Sequence, residues 1–159
     1  MYDRRVSTAQ LLERHPLLAR LSGEQLEHIV AAGELETFAP GEVVVAEGIL
    51  GDALYLVLTG EVAVAKAGHT LARLGPGEFF GEMALVEPAP RSATVVAEEP
   101  SFLYRLPSLS LQHLFESDPR AGNAVLIEVV KTLSERLRRA NTMVTSVGEL
   151  ADWLAGSLV

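Results

Sequence analysis

Between Gly81 and Thr94 the chain brings together a glycine, a carboxylate, an arginine and two hydroxyls: Gly81-Glu82-Met83-Ala84-Leu85, a proline-containing spacer, then Pro90-Arg91-Ser92-Ala93-Thr94. This spacing suits an anion. Successive backbone amides from Gly81 to Ala84, opening a single helical turn, can aim several N–H donors at one phosphate. Arg91, at the entry to an apolar strand expected over Ala93 to Ala97, adds a permanent charge and a forked donor. Glu82 needs a different partner, because a carboxylate beside a phosphate repels it unless it accepts a hydrogen bond from another group on the ligand. A sugar hydroxyl meets that need. The set therefore asks for a small ring that carries a phosphate with a hydroxyl close by. Taken singly, Arg91 is better read as forming a surface ion pair with Glu87 or Glu98, and Glu82 as a helix-start carboxylate. Their combination favours the ligand.

The elements that must hold these residues are written in turn and cap signals. Ser7-Thr8-Ala9-Gln10 has the spacing of a capping box and predicts a short helix ended by Pro16, and a second helix runs from a Ser22 cap through Gln25, Leu26, Ile29 and Val30 to a stop at Gly33. From Leu35 the pattern changes to short strands, expected at Leu35 to Ala39, Glu42 to Ala46, Ala53 to Leu58, Glu61 to Lys66, Thr70 to Leu74, Ala93 to Ala97 and Phe102 to Leu106. Pro40-Gly41, Gly48, Gly51, Gly60, Gly68, Pro76-Gly77 and Pro88 to Pro90 separate them at the intervals of a barrel or jelly roll. Gly81 is singled out, since a side chain there would lie between the backbone and the phosphate.

After Pro107 the pattern turns helical, with a short helix around Ser110 to Glu116 and a long one from an Asp118 cap and Pro119. Leu126, Val130, Leu133, Leu137, Ala140, Val144 and Val147 recur in alternating steps of four and three, a heptad seam. Ala151, Leu154 and Leu158 continue it past Gly148, which leaves open whether the tail prolongs the helix or folds back. The seam could pack on the roll of its own chain, but its length favours a parallel homodimer through Leu126 to Val147. The expected fold class is α+β: a jelly-roll-like antiparallel β-roll flanked by N-terminal helices and a long C-terminal helix. The divisions are 1–34, 35–107 and 108–159, in one compact domain overall.

Five further stretches stand in a telling order: His15-Pro16-Leu17-Leu18; Phe38-Ala39-Pro40-Gly41-Glu42; Gly48 with Gly51-Asp52-Ala53-Leu54-Tyr55-Leu56-Val57; Gly60-Glu61-Val62; and Leu74-Gly75-Pro76-Gly77-Glu78-Phe79-Phe80. With the Gly81 to Thr94 cassette, they resemble the cyclic nucleotide-binding domains of catabolite-activator-type regulators, of kinase regulatory subunits and of gated cation channels. The likeness covers roughly His15 to Leu137. It implies a ligand site made of Gly81, Glu82, Met83, Ala84, Arg91 and Ser92. Glu82 would accept from the ribose 2′-OH, while Arg91, the amides near Met83 and Ala84, and Ser92 would take the cyclic phosphate. It also implies a lid over the base from the long helix, with Thr132, Ser134, Glu135 and Arg138 as candidates. The Arg91-Ser92 pair goes with cAMP in the family's bacterial members, so cAMP is expected ahead of cGMP.

Composition removes several other classes. The 159 residues contain no cysteine, which excludes disulfides, thiolate nucleophiles and sulfur-ligated metals. A formal charge of −8 with only 13 Lys and Arg argues against a general nucleic-acid partner. Arg136, Arg138 and Arg139 beside Glu135 read as a solvated helix face. His15, His28, His69 and His113 are scattered without ligand spacing, so neither a metal nor an enzyme activity is expected. The longest apolar run is strand-length and Met1-Tyr2-Asp3-Arg4-Arg5 begins no secretory signal, so the expected location is cytoplasmic, with no membrane partner. About a dozen residues follow Val147, too few for the helix-turn-helix domain of the catabolite-activator class. The expectation is a stand-alone cyclic nucleotide receptor that changes shape and signals to a separate effector protein. A nucleotide-independent dimerisation or scaffold module and a truncated relative of a transcription regulator are the alternatives.

Overall fold

The computed structural model describes residues 7–157, so the expectations for Met1-Tyr2-Asp3-Arg4-Arg5 and for Leu158 lie outside the described residues. Both N-terminal capping boxes form. Ser7 Oγ accepts from Gln10 N at 3.2 Å while the Ser7 N–H reaches Gln10 Oε1 at 2.8 Å. Ser22 and Gln25 repeat the exchange at 3.3 and 2.9 Å. The helices they start are α1 (Thr8–Glu13) and α2 (Gly23–Ala32), with a 3-10 turn at Pro16–Leu18 between them.

The strands follow as β1 (Glu34–Phe38), β2 (Val43–Val45), β3 (Leu50–Gly51), β4 (Ala53–Thr59), β5 (Val62–Lys66), β6 (His69–Leu74), β7 (Phe79–Phe80), β8 (Ala89–Pro90), β9 (Thr94–Ala97) and β10 (Ser101–Pro107). They pair antiparallel in two four-stranded sheets, β1-β10-β4-β7 and β2-β9-β5-β6, and in a small β3-β8 ribbon. The roll's core is where the two large sheets face each other. Ala53, Tyr55, Val57, Phe80 and Leu103 from the first meet Val62, Leu74 and Val95 from the second. Alternation along β4 turns Leu54 and Leu56 to the opposite face, and these are fully buried too. Tyr104, opposite Leu56 in the ladder, donates its hydroxyl to the Val30 carbonyl, so α2 covers that face. This is the expected α+β roll with helices before and after it.

The final helices are α3 (Ser108–Ser117) and α4 (Pro119–Ser157). Asp118 caps α4 with a side-chain oxygen that accepts from Ala121 N at 3.2 Å. The helix continues through Gly148, which settles the question of the tail: among the described residues it does not fold back. The chain divides into two compact units, Met1–Val125 and Leu126–Val159, the second being most of α4. One turn signal had a different cause from the expected one. Gly33 does end α2, but with φ −128°, outside the left-handed region. A Cβ there would lie 2.5 Å from Arg105 O and 2.6 Å from the Tyr104 ring, so it is close approach to β10 that calls for glycine.

Candidate functional site

β7 delivers the chain to the cassette. Phe80 lies flat on Tyr55 of β4, with ring centroids 5.1 Å apart and planes within 5°. Gly81 follows in the left-handed region at φ +84°, and Glu82–Leu85 then make a single 3-10 turn closed by Ala84 N donating to Gly81 O at 3.1 Å. Ala84 anchors the turn from inside, while Met83 is exposed. Gly81 is required for two reasons. Its backbone sign disfavours a side chain, and a Cβ would come within 2.5 Å of Arg91 Nη1 and 2.7 Å of Ala53 O. Within the protein the nearest obstacles to a side chain are thus the arginine and a carbonyl.

Arg91 follows β8, three residues before β9 begins at Thr94, and its backbone extends the β3-β8 ribbon: its N–H donates to Ile49 O and its carbonyl accepts from Gly48 N, both at 2.8 Å. Its side chain turns back to β4, where Nη2 donates to Ala53 O at 2.8 Å. The guanidinium is half-buried beside Gly81. Burial lowers its pKa, and the proximity of Tyr55, Asp52 and Glu82 works in the opposite direction. An arginine remains charged under such opposed effects. Of the two carboxylates offered as alternative partners for Arg91, Glu98 instead binds Arg73 Nε at 3.0 Å. Ser92 is exposed immediately after Arg91. The geometry therefore brings Gly81, Glu82, Met83, Ala84 and Arg91 into one neighbourhood, with Ser92 next to Arg91 in the chain; the Ala84 amide, expected to reach a phosphate, is instead engaged with Gly81 O.

The lid candidates belong to the second unit. Thr132 and Ser134 are partly buried on α4, and Glu135 and Arg138 are exposed. His15 is almost wholly buried; its Nδ1 accepts from Leu17 N at 3.2 Å, leaving Nε2 to donate to Glu78 O at 3.1 Å. It thus caps the 3-10 turn and ties it to the turn before β7. Among the described residues no group of three or more His, Cys, Asp or Glu could hold a metal ion, and no helix is long and apolar enough to cross a membrane.

Gly51-Asp52-Ala53, read from the sequence only as part of the family's pattern, also supports the site. Ala53 supplies the carbonyl under Arg91. Asp52 Oδ1 accepts from Arg105 Nη2 at 3.2 Å, and its own carbonyl accepts from Ser108 N at 2.8 Å, at the start of α3. Arg105 also meets Glu34 at 3.5 Å. The available signal was Gly-Asp directly before the apolar run of β4.

A family model for the cyclic nucleotide-binding domain matches residues 35–118, more than half of the chain. The chain belongs to the cyclic nucleotide-binding domain family. It is 38% identical over 96 residues to a cAMP-dependent protein kinase regulatory subunit from Hypocrea atroviridis, a match covering 60% of this chain and 21% of that protein. A cyclic nucleotide-gated potassium channel from Mesorhizobium japonicum is 41% identical over 110 residues, 69% of this chain and 30% of the channel. The chain thus spans a fifth to a third of the length of these curated relatives. Among solved structures, the N-terminal domain of a transcriptional regulator from Streptomyces coelicolor superposes with a TM-score of 0.67 at 34% identity, covering 79% of this chain and 94% of that domain.

Proposed function

We propose that the protein is a cyclic nucleotide receptor, with cAMP preferred to cGMP, that changes conformation on binding and signals to a separate partner protein. The observation that carries this reading is the Arg91 guanidinium seated beside the Gly81 turn, with Glu82 on the same turn. Phosphate takes the arginine fork and the Met83 amide, the Ala84 amide being held by Gly81 O, and Glu82 accepts from a ribose hydroxyl. Ser92 lends a further hydroxyl to the phosphate. The name of the kinase regulatory relative supports cAMP. Thr132, Ser134, Glu135 and Arg138 of α4 are the proposed groups that close over the base.

No reaction is assigned to the chain, and the proposed role is regulatory. Leu126, Val130, Leu137, Val144 and Val147 are exposed on the protomer, which supports a homodimer built on that helix. Calorimetry with cAMP, cGMP and 5′-AMP tests the reading: it expects a cyclic nucleotide to bind and 5′-AMP not to. A second reading, the sensor part of a transcriptional regulator, is favoured by the 94% coverage of the Streptomyces domain. It predicts regulated DNA binding by the whole protein, read by gel shift with and without cAMP.

A further inference from the structure

Gly51 has no side chain to offer a ligand, yet its position governs where Arg91 can lie. It is buried in β3, opposite Ala89 of β8. A Cβ on Gly51 would come within 2.6 Å of Arg91 Nε, 2.8 Å of Cζ and 2.9 Å of Cδ. Gly51 does not share the positive φ of Gly48, Gly60 or Gly81, so its backbone is open to any residue. Only the closeness of the arginine calls for glycine here. The same side chain is bounded at Nη1 by the bare α-carbon of Gly81 and is hydrogen-bonded from Nη2 to Ala53 O.

We infer that Gly51 is a positioning residue of the anion site: its bare α-carbon seats the Arg91 side chain, and a methyl group there displaces the guanidinium from Ala53 O and from the Gly81 turn. The inference rests on reading Gly81 to Ser92 as a phosphate site. An arginine side chain is flexible and half-exposed, so the protein accommodates the methyl by moving Arg91 rather than by unfolding. That relaxation preserves the fold and destroys the aim of the donors.

A double-mutant cycle on the full chain tests this, combining Gly51→Ala with Arg91→Ala and reading cAMP affinity by calorimetry and thermal unfolding without ligand. Gly51→Ala alone is expected to weaken cAMP binding about tenfold and to leave the circular dichroism spectrum unchanged. In the Arg91→Ala background, where Cδ, Nε and Cζ are gone, it is expected to change affinity no further. Its effect on the melting temperature shrinks there as well. Unchanged cAMP affinity in Gly51→Ala, or an equal loss in both backgrounds, overturns the inference. If the wild-type protein binds no cAMP, the proposed function fails by itself and the ligand-free cycle decides about Gly51: a coupled effect supports the seat, and additive effects overturn it.

Discussion

Arg91 carries the largest share of the proposed affinity, because a charge-assisted fork in a partly buried site contributes up to about 3 kcal/mol. Arg91→Ala is expected to weaken cAMP binding by about a hundredfold in calorimetry, and undiminished affinity would contradict the placement of the phosphate. His15 gives a pH prediction. Burial lowers its folded pKa below the ordinary 6.5, with the bond to Glu78 opposing, so the unfolded chain takes up the proton first. Stability is then lost as pH falls through 6.5 towards the folded-state value, and is unaffected by this residue above it. The urea midpoint should drop more between about pH 7.5 and about pH 5.5 in the wild type than in His15→Gln, and equal drops would rule out this role. Residue types and spacing made Gly81, Glu82 and Arg91 legible, since each has a side chain or backbone demand of its own. Gly51 and Ala53 were not, because their contributions, an absent Cβ and a carbonyl, depend on a neighbour 38 or more positions away.

Elements bounded by caps and long enough to show a period were legible from sequence: α1, α2, the start of α4 and the five-to-seven-residue strands fall within a residue or two of expectation, while the end of α4 was left open. Two-residue strands were not. β3, β7 and β8 are too short for any alternation, and they form because β4 and the ribbon's own bonds hold them in register. Ser22→Ala should cost about 1 kcal/mol of stability in urea unfolding, as loss of an N-cap does; no change would mean that the box at α2 is unimportant. For α4, Val130 and Val144 alternate with Leu126 and Leu133 in the pattern of β-branched and leucine positions that suits two parallel strands, while Leu137, Ala140 and Val147 keep the seam apolar without following that pattern. Leu137 is 62% exposed on the protomer, so Leu137→Glu leaves the roll intact. Light scattering at micromolar concentration should give a dimer mass for the wild type and a monomer mass for this variant. A monomeric wild type, or a dimer untouched by the substitution, would contradict the seam.

The cassette turn stands against a two-sheet roll with a shared core, and a ligand that ties Gly81, Glu82 and Arg91 together would bias the conformations open to that turn. The Asp52 bonds to Arg105 and Ser108 connect the neighbourhood of Arg91 to the start of α3, giving such a change a physical route out of the site. The central claim is that this site takes a cyclic phosphate. Its most direct test is a thermal-unfolding titration of nucleotide-free protein with cAMP, cGMP and 5′-AMP. Ligand at 100 times its dissociation constant adds about 2.7 kcal/mol, which for a chain of this size is a rise of roughly 5–10 °C. That rise is expected with cAMP, a smaller one at equal concentration with cGMP, and none with 5′-AMP; an unchanged melting temperature with both cyclic nucleotides would contradict a cyclic-phosphate site.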